Sequence, residues 1–155
     1  TEVLSMDRLY AGFGKSTVDS TKSLVTRILI PEAGPGEGSG YARLEQRKAL
    51  ALPMVCVAAF LGIRDGMVER CRIAMAPVGV GPVRAIEAER FIIGKAAEKE
   101  VFSEAGRLAL KNANPRDSLI RGSKRYREEV LPVMVERALS EALSDAEGRE
   151  KEVEQ

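Results

Sequence analysis

The hydrophobic pattern changes period once, near Pro82, and the change divides the chain into a strand-like first half and a helical second half. Residues 24–31 are short, rich in branched aliphatic side chains and stopped by Pro31, which reads as a strand. Residues 32–40 (EAGPGEGSG) carry four glycines and a proline and predict a flexible loop. Residues 41–47 alternate weakly and read as a second strand. Residues 53–63 are apolar on both alternating sets, Met54, Cys56, Ala58 and Phe60 against Val55, Val57, Ala59 and Leu61. That pattern predicts a central strand, or one buried on both faces. Asp65-Gly66 signals a hairpin turn. Residues 67–75 return from it with Met67, Cys71, Ile73 and Met75 on one side, and Glu69 weakens the alternation.

Beyond Pro82 the spacing is helical. Pro82 suits a first turn and Gly94 a C-terminal cap, with Ala85, Ala88, Glu89 and Ile92 forming one stripe. Residues 96–111 predict a second helix through Val101, Ala105, Leu108 and Ala109, stopped by Pro115. A third runs from Ser123 to about Glu147, with Tyr126, Val130, Met134, Ala138 and Ala142 on its inward stripe and a kink expected at Pro132. Strands first and helices second give an α+β fold. The expectation is an antiparallel sheet of three to four strands, with three helices packed on one face.

Composition narrows the chemistry more than the fold. The 155 residues suit a single domain, and 45% hydrophobic with 30% charged residues is globular. Lys and Arg total 24 against 23 Asp and Glu, so there is no long-range pull toward nucleic acid or acidic membranes. No run of 18 apolar residues is present, residues 1–9 lack a signal-peptide pattern, and two cysteines are too few for a disulfide scaffold. A cytoplasmic location is the expectation. Histidine is absent, which removes the commonest general base and metal ligand. Two separated cysteines hold no iron–sulfur cluster. No catalytic constellation and no metal site is assigned.

Three local motifs invite a function. Gly14-Lys15-Ser16-Thr17 looks like the end of a P-loop, but Leu9 stands where the first glycine is required, and residues 18–22 start a helix poorly. The cluster Arg116, Arg121, Lys124, Arg125 and Arg127 has only Tyr126 for base stacking, so a solvated or internally paired face is expected. Cys56 and Cys71 are read as packing residues, free thiols buried in the hairpin.

A larger likeness lies in the order of several pieces. Gly79-Val80-Gly81-Pro82-Val83-Arg84-Ala85 leads into Glu87-Ala88-Glu89 and Ile93-Gly94-Lys95; Asn114-Pro115-Arg116-Asp117 and Arg121-Gly122-Ser123-Lys124-Arg125-Tyr126-Arg127 follow. This order resembles the C-terminal domain of the flavoprotein subunit of molybdenum hydroxylases, the family of carbon monoxide dehydrogenase and xanthine dehydrogenase. Leu4-Ser5-Met6-Asp7-Arg8-Leu9-Tyr10-Ala11-Gly12 with Lys15-Ser16-Thr17 resembles the family's passage out of the flavin-binding domain, which gives the Gly-Lys-Ser-Thr string another explanation. Tyr41, Arg43 and Arg47, then Asp65-Gly66 and Arg72-Ile73-Ala74, match in turn, so the likeness covers about residues 4–143.

The resemblance implies a role in electron transfer. In that family electrons pass from a molybdenum cofactor through iron–sulfur clusters to FAD and on to an acceptor. The FAD is held mostly by an upstream domain with two Gly-rich phosphate-binding motifs, neither of which occurs here. Residues 1–23 then read as an arm or tail of a missing FAD-binding domain, 24–147 as the α+β domain and 148–155 as a polar tail. The chain would be a fragment or a separately encoded domain, not catalytic alone and binding no FAD alone. Its partners would be an FAD-binding domain, an iron–sulfur subunit and a molybdopterin subunit. By this likeness Val25 matches a residue beside the isoalloxazine ring, Arg43 a basic residue on the flavin side, and Arg47 a neighbouring arginine. Leu50 and Ala51 stand where the family often has a carboxylate, which puts tuning of the flavin by such a group in doubt. The alternative is a stand-alone assembly or protein-binding module of the same fold without flavin. A nucleotide-binding enzyme would instead need a strand, loop and helix around Gly14–Thr17.

Overall fold

The computed structural model describes residues 2–12, 14–47 and 49–153; Thr1 and Phe13 of the expected arm and residues 154–155 of the expected polar tail lie outside them. The chain forms two compact units, Thr1–Glu32 and Ala33–Gln155.

In the first unit a 3-10 turn, Met6–Arg8, precedes a small hairpin of β1 (Tyr10–Gly12) and β2 (Lys15–Ser16). Thr17 closes it: its N–H donates to the Leu9 carbonyl at 3.0 Å and its hydroxyl to the Arg8 carbonyl at 2.8 Å. Lys15 and Ser16 therefore belong to a strand, and no helix follows among the described residues of this unit, so the architecture of a P-loop is missing. Residues 24–31 do not form the expected strand. Branched side chains favour extended backbone, but a strand is held by cross-strand pairing, and among the described residues nothing pairs with this segment. Leu24, Val25, Ile28, Leu29 and Ile30 are all exposed.

The second unit holds the α+β domain. β3 (Glu37–Leu44), β4 (Val55–Arg64), β5 (Met67–Ala76) and β6 (Val83–Arg84) form one antiparallel sheet in that spatial order. The fourth strand is thus Val83–Arg84 rather than residues 24–31. Asp65 and Gly66 both take positive φ, 51° and 73°, the backbone of a tight two-residue hairpin loop. One register shift interrupts β4–β5: Gly62 faces Arg70 while Ile63 faces Val68, leaving Glu69 as an extra residue. The bulge reverses the face before it. Val68 is buried with Cys71, Ile73 and Met75, while Met67, expected on that side, is 41% exposed.

Three helices follow: α1 (Ile86–Ile92), α2 (Lys99–Ala109, extended by a 3-10 turn at Leu110–Asn112) and α3 (Lys124–Val153). Ala85, Ala88, Glu89 and Ile92 are all buried, as their spacing predicts. Pro82 does not open the first helix; Val83–Arg84 continue as strand, and the Ala85 N–H donates to the Ile73 carbonyl before the helix begins. α3 starts one residue after Ser123, whose hydroxyl accepts the Tyr126 N–H at 3.1 Å. α3 continues through Pro132, where a kink was expected, without a break. Of the expected inward stripe, Met134, Ala138 and Ala142 are buried, Val130 is half-buried and Tyr126 is 42% exposed, while Arg127, Leu131, Val135 and Leu139 complete the buried face.

The glycine-rich segment expected as a loop is half of β3. Gly38, Gly40 and Ala42 face inward against the backbone of α3. A Cβ on Gly40 would overlap the Ala138 carbonyl oxygen, and one on Gly38 the Ala142 carbonyl oxygen. The glycines are there because a helix lies directly on the strand, not because the segment is a loop. The exposed edge of β3 is closed by the same helix, since Asp145 accepts the Ser39 N–H at 2.9 Å and Glu141 the Tyr41 N–H at 3.0 Å. These bonds satisfy the donors that an unpaired edge would offer to another strand.

Candidate functional site

The helices cover only one face of the sheet. Cross-strand register places Ser39, Phe60 and Arg72 in one outward row, Tyr41, Ala58, Ala74 and Arg84 in the next, and Arg43, Cys56 and Ala76 in a third. Ala58 and Ala74 floor a shallow, open cleft of about 490 Å³, with Tyr41, Phe60, Arg72 and Glu141 around it. Cys56 lies on this outer face and is half-buried, whereas Cys71 is buried on the inner one. The two thiols are therefore on opposite sides of the sheet, and only Cys71 is the buried free thiol expected of both. Burial pushes the Cys71 thiol up to about 12, with the Glu89 carboxylate adding to the effect. Partial burial and the neighbouring Cys56 thiol raise the Tyr41 phenol above its ordinary value.

Arg43 and Arg47 converge on one loop at the end of β3. Arg43 Nε donates to Glu45 at 2.6 Å and its Nη2 to the Ala51 carbonyl at 2.7 Å. Arg47 Nη2 donates to the Leu50 carbonyl at 3.0 Å. The positions that lack a side-chain carboxylate, Leu50 and Ala51, thus supply carbonyl oxygens, and Glu45 supplies a carboxylate locally. Its hydrogen bond raises the Arg43 guanidinium further above its ordinary value. Leu50 was not legible as a site residue. Its φ is 49°, a left-handed conformation that costs a non-glycine residue about 1 kcal/mol, and its side chain is 95% exposed. Val25 lies in the other unit, outside any strand or helix and 60% exposed.

Most of the remaining motif residues hold the fold together. Glu89, 7% exposed, accepts the Ile73 N–H at 2.9 Å and is paired with Arg84 through the guanidinium Nε and Nη2. Asp117 accepts the Lys124 N–H at 2.8 Å at the start of α3. Lys124 and Arg125 pair with Glu128 and Glu129 one turn on, the internally paired face expected of the basic cluster. Arg127 departs from it. It is 3% exposed, donates Nη1 to the Pro77 carbonyl at 2.8 Å, and is shifted down by burial and then by Arg121.

For a flavin dinucleotide these residues fit one part and not another. Arg43 is an exposed cation held in place from two sides at the end of β3, which suits the edge of a planar ring. The glycines that might have cradled a pyrophosphate are used elsewhere: Gly38 and Gly40 admit α3, and Gly36, at φ 69°, sits where a Cβ would meet the Ile63 carbonyl oxygen at 2.5 Å.

The fold and this face define an α+β domain with one sheet face backed by helices and the other open. The pattern of the CO dehydrogenase flavoprotein C-terminal domain matches residues 41–142, and the chain belongs to that family. It is therefore the C-terminal domain type found in flavoprotein subunits of molybdenum hydroxylases. It is 30% identical over 129 residues to the glyceraldehyde dehydrogenase medium chain of Sulfolobus acidocaldarius, covering 83% of this chain and 45% of that one. It is 24% identical over 140 residues to the putative xanthine dehydrogenase FAD-binding subunit of Escherichia coli, covering 90% and 48%. Among solved structures, reconstituted CO dehydrogenase from Oligotropha carboxidovorans superposes with a TM-score of 0.80 at 27% identity, over 90% of this chain and 48% of that one. The chain spans about half the length of these relatives. No helix among the described residues is long and apolar enough to cross a membrane.

Proposed function

We propose that this domain serves the flavoprotein subunit of a molybdenum-containing dehydrogenase and supports electron transfer from iron–sulfur clusters to FAD and on to an acceptor. The observation that carries this reading is the fixed, exposed guanidinium of Arg43 at the end of β3, in a chain of the CO dehydrogenase flavoprotein family. FAD, when bound by the complete subunit, supplies the redox chemistry. Arg43 holds a permanent positive charge where negative charge develops on the reduced ring, and Arg47 braces the loop that positions it. Val25 is assigned to the rim of the same ring. Residues 1–23 are assigned to the tail of the FAD-binding domain and 24–147 to the C-terminal domain. An FAD-binding domain, an iron–sulfur subunit and a molybdopterin subunit are the proposed partners, and the cytoplasm the proposed location.

The chain alone lacks a pyrophosphate cradle among its described residues, so it is expected to purify colourless, while its native assembly carries one FAD per copy. Absorbance near 450 nm and released flavin, measured on the chain and on the assembly, test this. An assembly without flavin would contradict the proposal and favour a binding module of the same fold.

A further inference from the structure

We propose that the open face of the β3–β6 sheet is a protein-docking surface, and that its occupant is a separate polypeptide presenting an apolar surface with one carboxylate opposite Arg72. The inference stands on this face alone and does not depend on flavin. An antiparallel sheet with one solvated face alternates apolar inward and polar outward. β4 does not alternate. Its inward residues Val55, Val57, Ala59 and Leu61 are buried, but its outward residues are Cys56, Ala58, Phe60 and Gly62, none of them polar enough to favour water. The sequence is that of a strand covered on both sides, and the helices of this chain cover one. Small side chains at Ala58 and Ala74, with Tyr41 and Phe60 beside them, let another surface approach the backbone closely.

Charge selects the occupant. Five arginines stand at outward strand positions: Arg43, Arg64, Arg70, Arg72 and Arg84. Arg43 is paired with Glu45, Arg64 with Glu69, Arg70 with Glu37 and Arg84 with Glu89. Arg72 is exposed at the rim of the cleft and has no carboxylate partner among the described residues. A carboxylate set against it on an apolar surface would make a desolvated, charge-assisted contact at the margin of the patch. A second copy of this chain fits poorly, because the carboxylates of this face are already engaged, Glu37 with Arg70, Glu69 with Arg64 and Glu141 with the Tyr41 N–H, so a second face would bring another Arg72 and no free carboxylate to meet it.

Cys56 reports directly on this face, and Cys71 on the integrity of the core. The test is maleimide labelling of the full chain, purified alone and as the assembly recovered with it from its own cells, read by peptide mass. The expected result is at least a tenfold slower reaction of Cys56 in the assembly, with Cys71 protected in both. Arg72→Glu should release the partner and return Cys56 to its isolated rate, while Arg72→Lys retains the partner. Equal labelling of Cys56 in both states, or a partner kept by Arg72→Glu with Cys71 still protected, overturns the proposal. So does recovery of the chain alone. Cys56 protected in the isolated monomer would mean cover from within the chain, and a dimer at micromolar concentration by sedimentation would mean a second copy; each also overturns it.

Discussion

Leu50 and Glu89 are opposite kinds of residue, one strained and exposed, the other buried and fully bonded. Leu50 holds a left-handed backbone at 95% exposure, so its side chain contributes little to folding. Leu50→Gly should stabilise the isolated chain by up to about 1 kcal/mol through relief of that strain, read as a higher urea midpoint. Glu89 ties Arg84 to the edge of β5 and accepts the buried Ile73 N–H. Glu89→Ala leaves that donor and the cation unpaired and should cost about 3 kcal/mol, with Glu89→Gln costing less. Periodicity placed Glu89 on the inward stripe, yet its partner Arg84 was not legible, because the pairing needs a two-residue strand that propensity does not announce. Arg127 was missed for a related reason. Helical spacing through Tyr126 and Val130 put only the start of the stripe one position off, and a buried arginine is recognised only when the Pro77 carbonyl that accepts from it is in view. Cys71 gives a linked expectation. Its folded pKa, about 12, lies above the ordinary 9.0, so the neutral thiol is favoured in the fold. This contribution to stability is full below the unfolded pKa and is lost as pH rises from there toward the folded value. Urea midpoints of wild type and Cys71→Ala should converge as pH is raised from 8 toward 11.

The element that decides the layout of the sheet is α3. Its backbone lies on β3, so inward positions of that strand must be small, and its carboxylates reach over the strand edge. Sequence reading took the consequence, a run of glycines, for a flexible loop. Composition cannot distinguish a glycine that frees the backbone from one that admits a helix. Gly40→Ala tests the distinction. A flexible loop would tolerate it, whereas a methyl group overlapping the Ala138 carbonyl oxygen should destabilise by about 3 kcal/mol, near the upper end of overpacking costs. The edge caps carry a pH signature. The Ser39 N–H, then Arg149, hold the Asp145 carboxyl below its ordinary range. A depressed carboxyl stabilises the fold above its unfolded pKa and loses that contribution as pH falls through the folded one. Denaturation midpoints should therefore fall more steeply below pH 4 in wild type than in Asp145→Ala, with a modest difference because the site is exposed. The hairpin and the core of β4–β5 were legible because Asp65-Gly66 and the apolar alternation are local signals. Residues 24–31 show the limit of such signals, since strand propensity without a partner edge gave no strand.

At the largest scale, helices cover one face of the α+β domain's sheet and α3 caps its β3 edge, and the outward face, with Arg43 near one end, stays open. The order of motifs identified the family before any geometry was known, because those motifs include the caps and ion pairs that build this fold: Arg84 with Glu89, Asp117 and Ser123 at the start of α3. The candidate site was legible only in part. Arg43 and Arg47 were chosen by likeness, and their shared use of the loop carbonyls at Leu50 and Ala51 emerged only from three-dimensional structure. The central claim is that Arg43 places a permanent charge beside the flavin of a complete subunit. Its most direct test is the FAD midpoint potential of the assembled enzyme, wild type against Arg43→Ala. Loss of the cation should lower the potential by some tens of millivolts at partly screened range while flavin content and the urea midpoint stay unchanged. An unchanged potential in a fully flavin-loaded Arg43→Ala assembly would contradict the claim.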